Sequence, residues 1–243
     1  MANINDIEVV VFDILGTLLD QSSGLRAGIR EALPGCDAAT VEELLFLWQR
    51  HVELEQQRIA RGQRAYVNTD FIDAEAARRV AEHAGLTDPG AINRLATAGQ
   101  RLPPWDDSVA GLDRLTQRFL VIGLSNASRT ALLRLNARAG LRWHQALSAE
   151  TVLAYKPAPE VYQLAVDTAG CRAENMLMVA AHAWDLRGAQ EAGMRTAYVQ
   201  RPGGDPPAGS DTFDWRFNGL DELVNTLFAG QPVSAARHGG RRP

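Results

Sequence analysis

Four short, continuous apolar runs divide the chain, at positions 8–12, 119–124, 175–180 and 195–199. Runs of this length that are rich in β-branched residues and uninterrupted by polar ones are typical of strands buried on both faces of a parallel sheet. The first three end in polar residues, and each is followed by a stretch that favours helix. This alternation predicts an α/β fold with a doubly wound parallel sheet and helices on both of its faces.

The long segment between the first two runs has a different pattern. Apolar residues recur at helical spacing in 41–60, and the stretches 73–84 and 89–100 have compositions that favour helix. No strand pattern interrupts them. We therefore predict an all-helical insertion over residues 20–100.

The remaining parts of the chain, 1–19 and 101–230, are predicted to form one α/β core domain. Two prolines stiffen the return linker at 101–105, and a last short helix is predicted at 221–228. The arginine-rich segment 231–243 lies at the end of the chain and has few apolar residues, so we predict that it is a flexible tail.

The composition narrows the classes of protein to which the chain can belong. Its 25 Lys and Arg against 29 Asp and Glu leave a net charge of −4, which argues against nucleic acid as a partner. No apolar run approaches the 18 or more residues of a membrane span, and the first residues do not resemble a secretory signal. Cys36 and Cys171 lie far apart, as expected for thiols in a reducing compartment. We expect a cytoplasmic protein that binds no membrane.

Polar residues at the strand ends are the candidates for chemistry, because the carboxyl ends of parallel strands meet at one edge of the sheet. Asp13 ends the first run, with Gly16 and Thr17 close behind it. It is either a residue that caps the turn or a nucleophilic carboxylate. Ser125 is a candidate both for the same site and for the N-cap of the helix that begins near residue 129, and the two roles are not exclusive.

Four short motifs occur in order at these strand ends. They are Phe12-Asp13-Ile14-Leu15-Gly16-Thr17-Leu18, Leu124-Ser125-Asn126, Lys156-Pro157 and Asp185. In this order and spacing they resemble the four motifs of the haloacid dehalogenase superfamily, over about residues 7–230. The resemblance implies a Rossmann-like core, with the helical insertion of residues 20–100 as its cap domain.

Two positions distinguish phosphatases from carbon–halogen hydrolases within this superfamily. The phosphatases place a second Asp two residues after the nucleophile and a further acid, which helps to hold Mg²⁺, in the fourth motif. The residues here are Leu15 and Ala181. Leu15 cannot protonate a leaving group, and a site without the second acid loses an oxygen ligand for Mg²⁺. The resemblance therefore implies displacement at carbon, with no metal and no other cofactor, and makes a small-molecule phosphatase a weaker alternative.

Two segments are similar to the type II L-2-haloacid dehalogenases. They are Lys156-Pro157-Ala158-Pro159-Glu160-Val161-Tyr162 and Ala183-Trp184-Asp185. This similarity implies a hydrolase that converts a short (S)-2-haloacid to a 2-hydroxy acid through an ester on Asp13. Lys156 would keep Asp13 ionised by its opposite charge, and Thr17 would hydrogen-bond the Asp13 carboxylate.

The same resemblance implies roles for the remaining candidate residues. Ser125 and Asn126 would hold the carboxylate of the substrate. Tyr162 would orient the ammonium of Lys156, and Asp185 would position that lysine and the hydrolytic water.

The pocket wall would include Leu15, where dehalogenases usually have an aromatic residue, and Trp184. His182 stands where the type II enzymes have Asn. Because the ordinary pKa of histidine is near neutrality, His182 is either the base for the hydrolytic water or a structural histidine.

The insertion departs from the dehalogenase pattern after Trp48, where a halide-binding Arg is expected. Gln49 follows instead, and Arg50 comes next. One residue along a helix turns the side chain by about 100°, so we expect Arg50 to point away from the pocket. Gln49 would suit a protonated amine as leaving group. Hydrolytic ring opening of azetidine-2-carboxylate is therefore an alternative with the same nucleophile.

A protein that keeps the fold but only binds a metabolite is a further alternative, and the presence of Asp13 and Lys156 argues against it. The family resemblance also implies a homodimer, and the implied partner is a small-molecule carboxylate.

Overall fold

Six parallel strands form a single sheet in the computed structural model, which describes residues 4–230. The strand order is β3-β2-β1-β4-β5-β6. The strand bounds are β1 Val9–Asp13, β2 Leu120–Ser125, β3 Gln145–Ser148, β4 Met176–Ala180, β5 Arg195–Val199 and β6 Trp215–Phe217. The four predicted strands are thus the four interior strands of the sheet, β2, β1, β4 and β5. The doubly wound α/β fold is confirmed.

The central strand β1 sits where the order of connections reverses. From β1 the chain proceeds to β2 and β3 on one side, and it then crosses to β4, β5 and β6 on the other. Val11 pairs with Ile122 of β2 and with Met178 of β4. In open α/β sheets, such a switch point opens a crevice at the carboxyl ends of the strands, where ligands bind. Asp13 lies at that end of β1.

The sequence pattern did not predict β3 and β6, which are the two edge strands. They have four and three residues, and each starts with residues that are only partly buried. A short edge strand needs no continuous apolar run, because only part of its length packs against a helix. Their patterns are therefore too brief to distinguish from those of loops.

Helices cover both faces of the sheet. Val10 and Phe12 of β1 join one hydrophobic cluster, whereas Val9 and Val11 join the other. The first cluster includes α5 Ser108–Leu115, α6 Arg129–Ala139 and α9 Leu220–Gly230; the second includes α7 Pro159–Ala169 and α8 Ala183–Glu191. This two-sided burial explains why β1 is apolar at each position before Asp13.

The segment between β1 and α5 is helical, with a hydrophobic cluster of its own. Its helices are α1 Gln21–Ala32, α2 Ala38–Ala60, α3 Thr69–Ala84 and α4 Pro89–Ala96, followed by a 3-10 turn at Ala98–Gln100. Side chains of Asp37, Asn68 and Asp88 cap the starts of α2, α3 and α4. We propose that these helices form a cap domain with the predicted bounds 20–100. The predicted tail, 231–243, lies outside the described residues.

Two neighbouring stretches of chain connect the helical segment to the residues that form the sheet. The N–H of Asp20 donates to the carbonyl of Pro103 at 2.8 Å, and Leu19 bridges Pro104. The stretch of chain that leads from β1 into the helical segment and the stretch that leads back to the sheet are therefore hydrogen-bonded to each other. Within residues 4–230, no helix has both the length and the apolar character that a membrane span requires.

Two aspartates, one helical turn apart on α3, lie where this helix meets the sheet domain. Asp70 accepts hydrogen bonds from Gln100 Nε2 at 3.1 Å and from Ser128 Oγ at 2.9 Å. Burial and the negative charge of Asp70 raise the pKa of Asp73 to about 8. Asp73 therefore keeps its proton at neutral pH in the folded protein.

This raised pKa predicts a pH-dependent stability. Between its ordinary value and about 8, the folded state binds a proton on Asp73 that the unfolded state has released. The stabilisation is complete below about pH 4 and is lost as the pH rises through about 8. We expect Asp73→Asn to raise the melting temperature by a few degrees at about pH 9 and to change it little at about pH 4. Asp113→Asn, at an exposed position of α5, is the control; equal effects of Asp73→Asn at both pH values would contradict the prediction.

Candidate active site

A cleft of about 680 Å³ opens at the carboxyl ends of β1, β2 and β4, with α2 forming its opposite wall. Its floor contains the carboxylate of Asp13 and the ammonium of Lys156. The predicted site residues that line it are Asp13, Leu15, Gln49, Asn126, Lys156, His182 and Trp184. The cleft lies at the topological switch point described above, as expected for a ligand site in this fold.

A tight turn after β1 presents Asp13 and Thr17 to each other. The Thr17 hydroxyl donates to Asp13 Oδ2 at 2.7 Å and accepts from the N–H of Ala181 at 2.9 Å. Gly16 has a φ of +85°, which side chains other than hydrogen rarely permit. A Cβ on Gly16 would also lie 2.6 Å from Cε1 of His182. The glycine thus allows both the turn and the close approach of the histidine ring.

Lys156 joins two buried carboxylates. Its Nζ donates to Asp13 Oδ1 at 3.0 Å and to Asp185 Oδ2 at 2.8 Å, and only 1% of its side chain is exposed. Its backbone N–H donates to Asn126 Oδ1 at 2.8 Å, which ties the Lys156 segment to the end of β2. Lys156 is therefore an internal ion-pair partner and not a surface lysine.

Mutual charge controls the pKa values in this group. Burial alone would raise the pKa of Asp13, but Lys156, His182 and the Thr17 hydrogen bond together hold it far below its ordinary value. Burial raises the pKa of Asp185, and the positive charge of Lys156 offsets this increase only in part. Although burial opposes the charge of Lys156, its two carboxylates raise the pKa of its ammonium above the ordinary value. Asp13 is consequently an ionised carboxylate beside a permanent cation.

Tyr162 contacts Asp185 and not the lysine. Its hydroxyl is within hydrogen-bond distance of Asp185 Oδ1, 2.7 Å, and of the Asp185 carbonyl, 3.1 Å. The predicted role of Tyr162 in orienting Lys156 would therefore be indirect, since Asp185 lies between the Tyr162 hydroxyl and the Lys156 ammonium. A Cβ on Gly188 would lie 2.6 Å from the Tyr162 oxygen, so this glycine of α8 makes room for the tyrosine of α7.

His182 lies beside the carboxylate oxygen of Asp13 that does not pair with Lys156. Its Nδ1 lies 3.3 Å from Asp13 Oδ2, and its ring centroid is 5.7 Å from that of Trp184. Burial lowers the pKa of His182, but the hydrogen bond and the negative charge of Asp13 outweigh this effect and raise it above the ordinary value. The charge of His182 thus depends on the charge of Asp13.

The two residues at the end of β2 differ in their access to the cleft. Asn126 lines it, with its amide Nδ2 3.4 Å from Gln56 Oε1. Ser125 is fully buried, is not part of the wall and accepts the N–H of Ala127 through Oγ. Nor does Ser125 cap the following helix, because Ser128 does so by accepting the N–H of Ala131. A cap must directly precede the first helical turn, and Ser125 lies too far upstream.

Both Gln49 and Arg50 line the cleft, which corrects the expectation that Arg50 points away. The cleft extends along several turns of α2, so long side chains on both flanks of the helix reach it. Arg50 pairs with Glu53 at 3.1 Å, and both side chains are more than half exposed. Gln49 Nε2 lies 3.4 Å from Ser22 Oγ.

Sequence reasoning missed three glutamines of the wall, Gln21, Gln56 and Gln57. Gln56 is seven residues after Gln49, which is two helical turns, so helical spacing from Gln49 would have found it. Gln21 begins α1 and carries no comparable signal.

Taken together, the site holds an ionised carboxylate, a fixed cation, a hydroxyl donor and a titratable imidazole around one cleft. An ionised, partly desolvated carboxylate is a competent nucleophile at carbon, and a neighbouring imidazole is suited to activate water. Asp13, Thr17, Lys156, Asp185 and His182, the predicted catalytic residues, form one connected network.

Comparison with known proteins agrees with this geometry. A family model described as haloacid dehalogenase-like hydrolase matches residues 7–193. An (S)-2-haloacid dehalogenase of Pseudomonas sp. (strain YL) is 32% identical over 222 residues, covering 90% of this chain and 93% of that protein. A haloacetate dehalogenase of Moraxella sp. (strain B) is 27% identical, covering 91% and 98%.

Solved structures are similar over nearly the whole chain. The crystal structure of an L-2-haloacid dehalogenase superposes with a TM-score of 0.84 at 28% identity, covering 92% of this chain and 99% of that one. A defluorinating L-2-haloacid dehalogenase gives a TM-score of 0.82 at 26% identity, covering 91% and 95%. With its motifs, its sheet and its matched length in agreement, the chain belongs to the haloacid dehalogenase-like hydrolases.

Proposed function

We propose that this hydrolase acts on short (S)-2-haloacids and releases the corresponding 2-hydroxy acid and halide. The observation that carries the proposal is the ionised carboxylate of Asp13 on the floor of the cleft, paired with Lys156 at 3.0 Å. The relatives described above supply the substrate class.

In the first step, a carboxylate oxygen of Asp13 attacks C2 of the substrate. The new C–O bond forms as the carbon–halogen bond breaks, and the halide leaves with the bonding electron pair. No proton is needed, which suits the apolar side chain of Leu15 beside the nucleophile. The product of this step is an ester that joins the carboxyl group of Asp13 to C2 of the substrate.

In the second step, water attacks the carbonyl carbon of that ester. His182 takes a proton from the water and returns it to the departing oxygen as the bond between Asp13 Cγ and that oxygen breaks, which releases the 2-hydroxy acid. The new carboxylic acid of Asp13 then loses its proton to solvent, which restores the carboxylate. Ester formation removes the negative charge that raises the pKa of His182. The imidazole therefore loses its proton more readily once the ester has formed, when a base is required.

The carboxylate of the substrate is assigned to Asn126. Its Oδ1 is occupied by the backbone N–H of Lys156, which leaves the amide N–H₂ group on the cleft side. Ser125 is too deeply buried to share this role and instead supports the end of β2. Leu15 and Trp184 would contact the alkyl part of the substrate.

The other candidate functions have less support. None of the relatives described above is named for ring opening. A Mg²⁺-dependent phosphatase fits poorly, because Leu15 and Ala181 offer no side-chain oxygen and both oxygens of Asp185 are engaged by Tyr162 and Lys156. The homodimer and the cytoplasmic location stay predictions.

Replacement of the nucleophile tests the proposal directly. Asp13→Asn should lower chloride release from L-2-chloropropionate by about 10³-fold or more, because a neutral amide cannot form the ester. In wild-type protein, one turnover in H₂¹⁸O should place the label in Asp13, as detected by mass spectrometry of its peptide. Asp20→Asn, at the N-cap of α1 where Asn serves equally well, is the matched control.

Label found only in the 2-hydroxy acid after a single turnover would mean that water attacks the substrate directly, and the ester mechanism would be wrong. Absence of chloride release from any short 2-haloacid would reject the substrate class.

Removal of the proposed base should separate the two steps. His182→Gln should release about one chloride per enzyme rapidly and then turn over about 10²–10⁴-fold more slowly, since general-base catalysis contributes about this factor. Intact mass spectrometry should show the ester accumulating on Asp13. His83→Gln, an exposed histidine paired with Glu43 on the surface of the cap, should behave as wild type. A variant that is slow from the first turnover, with no ester, would contradict the assignment of His182.

The charge linkage predicts a shift that does not depend on turnover. In free wild-type protein, the pKa of His182 should exceed its ordinary value of 6.5, whereas in Asp13→Asn it should fall because Asn carries no charge. Titration of the ring by NMR measures both values. Equal pKa values in the two proteins would show that Asp13 does not control His182.

A further inference from the structure

The turn that follows Asp13, at residues 14–19, is held by hydrogen bonds to three of its consecutive carbonyl groups. Trp105 Nε1 donates to the carbonyl of Gly16 at 3.1 Å, and Arg201 Nε donates to that of Thr17 at 2.9 Å. The carbonyl of Leu18 accepts from Ser108 Oγ at 2.8 Å. None of these three donors lines the active-site cleft. The turn is therefore held in place on the side away from the substrate.

Arg201 is the central donor of this group. Its two terminal nitrogens donate to both carboxylate oxygens of Asp107, at 2.8 and 2.6 Å, while Nε remains free to reach Thr17. Its guanidinium carbon lies 5.5 Å from the centre of the Trp105 ring, and only 7% of its side chain is exposed. Asp107 also accepts the N–H of Leu220, so it is held independently of the arginine.

The contact with Thr17 distinguishes this ion pair from one that only stabilises the fold. The carbonyl of Thr17 accepts a hydrogen bond from Arg201, and its hydroxyl donates one to Asp13 Oδ2 at 2.7 Å. The same hydroxyl accepts the N–H of Ala181 at the end of β4. A displacement of the Thr17 backbone would thus change the hydrogen bond that orients the nucleophile.

We propose that Arg201 is a positioning residue for the reaction, which acts through Thr17 to set the direction of the Asp13 carboxylate. This inference rests on the proposed function, because it assigns Asp13 the role of nucleophile. Misplacement of a reacting group by a fraction of an ångström lowers the rate of a displacement without preventing substrate binding. Arg201 should therefore affect kcat more than KM.

Lysine cannot replace this arginine. A guanidinium presents a forked pair of N–H groups to Asp107 and a separate Nε–H to Thr17, whereas an ammonium is a compact point donor. Arg201→Lys keeps the charge opposite Asp107 but loses the geometry. The substitution consequently tests position and not charge.

Arg187 supplies a matched control. It also forms a forked pair with an aspartate, through Nε and a terminal nitrogen to Asp211 at 2.8 and 2.9 Å. Arg187 is on α8, and its hydrogen bonds to Asp211 do not involve the turn at residues 14–19. Arg187→Lys therefore keeps the charge but loses the forked geometry of an ion pair that has no connection to Thr17.

The experiment compares Arg201→Lys, Arg187→Lys, Thr17→Val and the double variant Arg201→Lys/Thr17→Val with wild type. We expect Arg201→Lys to lower kcat for L-2-chloropropionate by about tenfold or more, the effect of losing a charge-assisted hydrogen bond, with KM within about twofold. In the Thr17→Val background the same substitution should lower kcat by less than about threefold, because the hydroxyl that transmits its effect is absent. Arg187→Lys should leave kcat unchanged.

Equal costs of Arg201→Lys in both backgrounds, or a loss of kcat matched by Arg187→Lys, would overturn the proposal and leave a purely structural ion pair. A crystal structure of Arg201→Lys provides a readout without turnover: we expect the distance from Thr17 Oγ1 to Asp13 Oδ2 to lengthen beyond hydrogen-bond range. An unchanged turn would also overturn the proposal. If wild type released no chloride, the proposed function would fail, and the crystal structure would still decide whether Arg201 positions the turn.

Discussion

The ammonium of Lys156, buried between the carboxylates of Asp13 and Asp185, is the interaction on which the rest of the structure depends. Removing three charges from water costs several kcal/mol for each ion, and only close, well-directed pairing offsets that cost. The end of β1, the segment before α7 and the first turn of α8 must therefore meet within about 3 Å. An error in any of the three would leave an unpaired charge inside the protein.

Glycines beside the two carboxylates leave the space that this close pairing requires. Gly16 lets the chain turn and admits the ring of His182, while Gly188 admits Tyr162 beside Asp185. Hydrogen bonds from Thr17 and Tyr162 then occupy the carboxylate oxygens that face away from Lys156. The result is a nucleophile that is ionised and fixed in direction, with a histidine whose own charge depends on it. The charge of Asp13 thus both pairs with Lys156 and raises the pKa of His182, the base of the proposed second step.

Much of the fold could be predicted, because each buried strand and each amphipathic helix carries its own local pattern. The run before Asp13 is apolar at each position since both of its faces are covered, and α2 was evident from its apolar spacing. The edge strands β3 and β6 carry too few buried residues for such a pattern. The ordered motifs indicated candidate catalytic residues that the structure brings into one connected network. The structure corrects two expectations, that Ser125 reaches the substrate and that Arg50 points away from the cleft. It also places Asp185 between Tyr162 and Lys156, an arrangement that no short-range pattern in the sequence records.

The sequence by itself therefore determined the class of fold, the helical insertion, and the identity of the residues that bring charge to the cleft. Those features follow from short-range periodicity and from residue chemistry, which are present before the chain folds. Only the tertiary structure decided which groups touch. Asp13 and Lys156 are 143 positions apart, and Arg201 reaches Thr17 across 184. No local pattern records such a distance, because those contacts exist only when the sheet brings the carboxyl ends of its strands together.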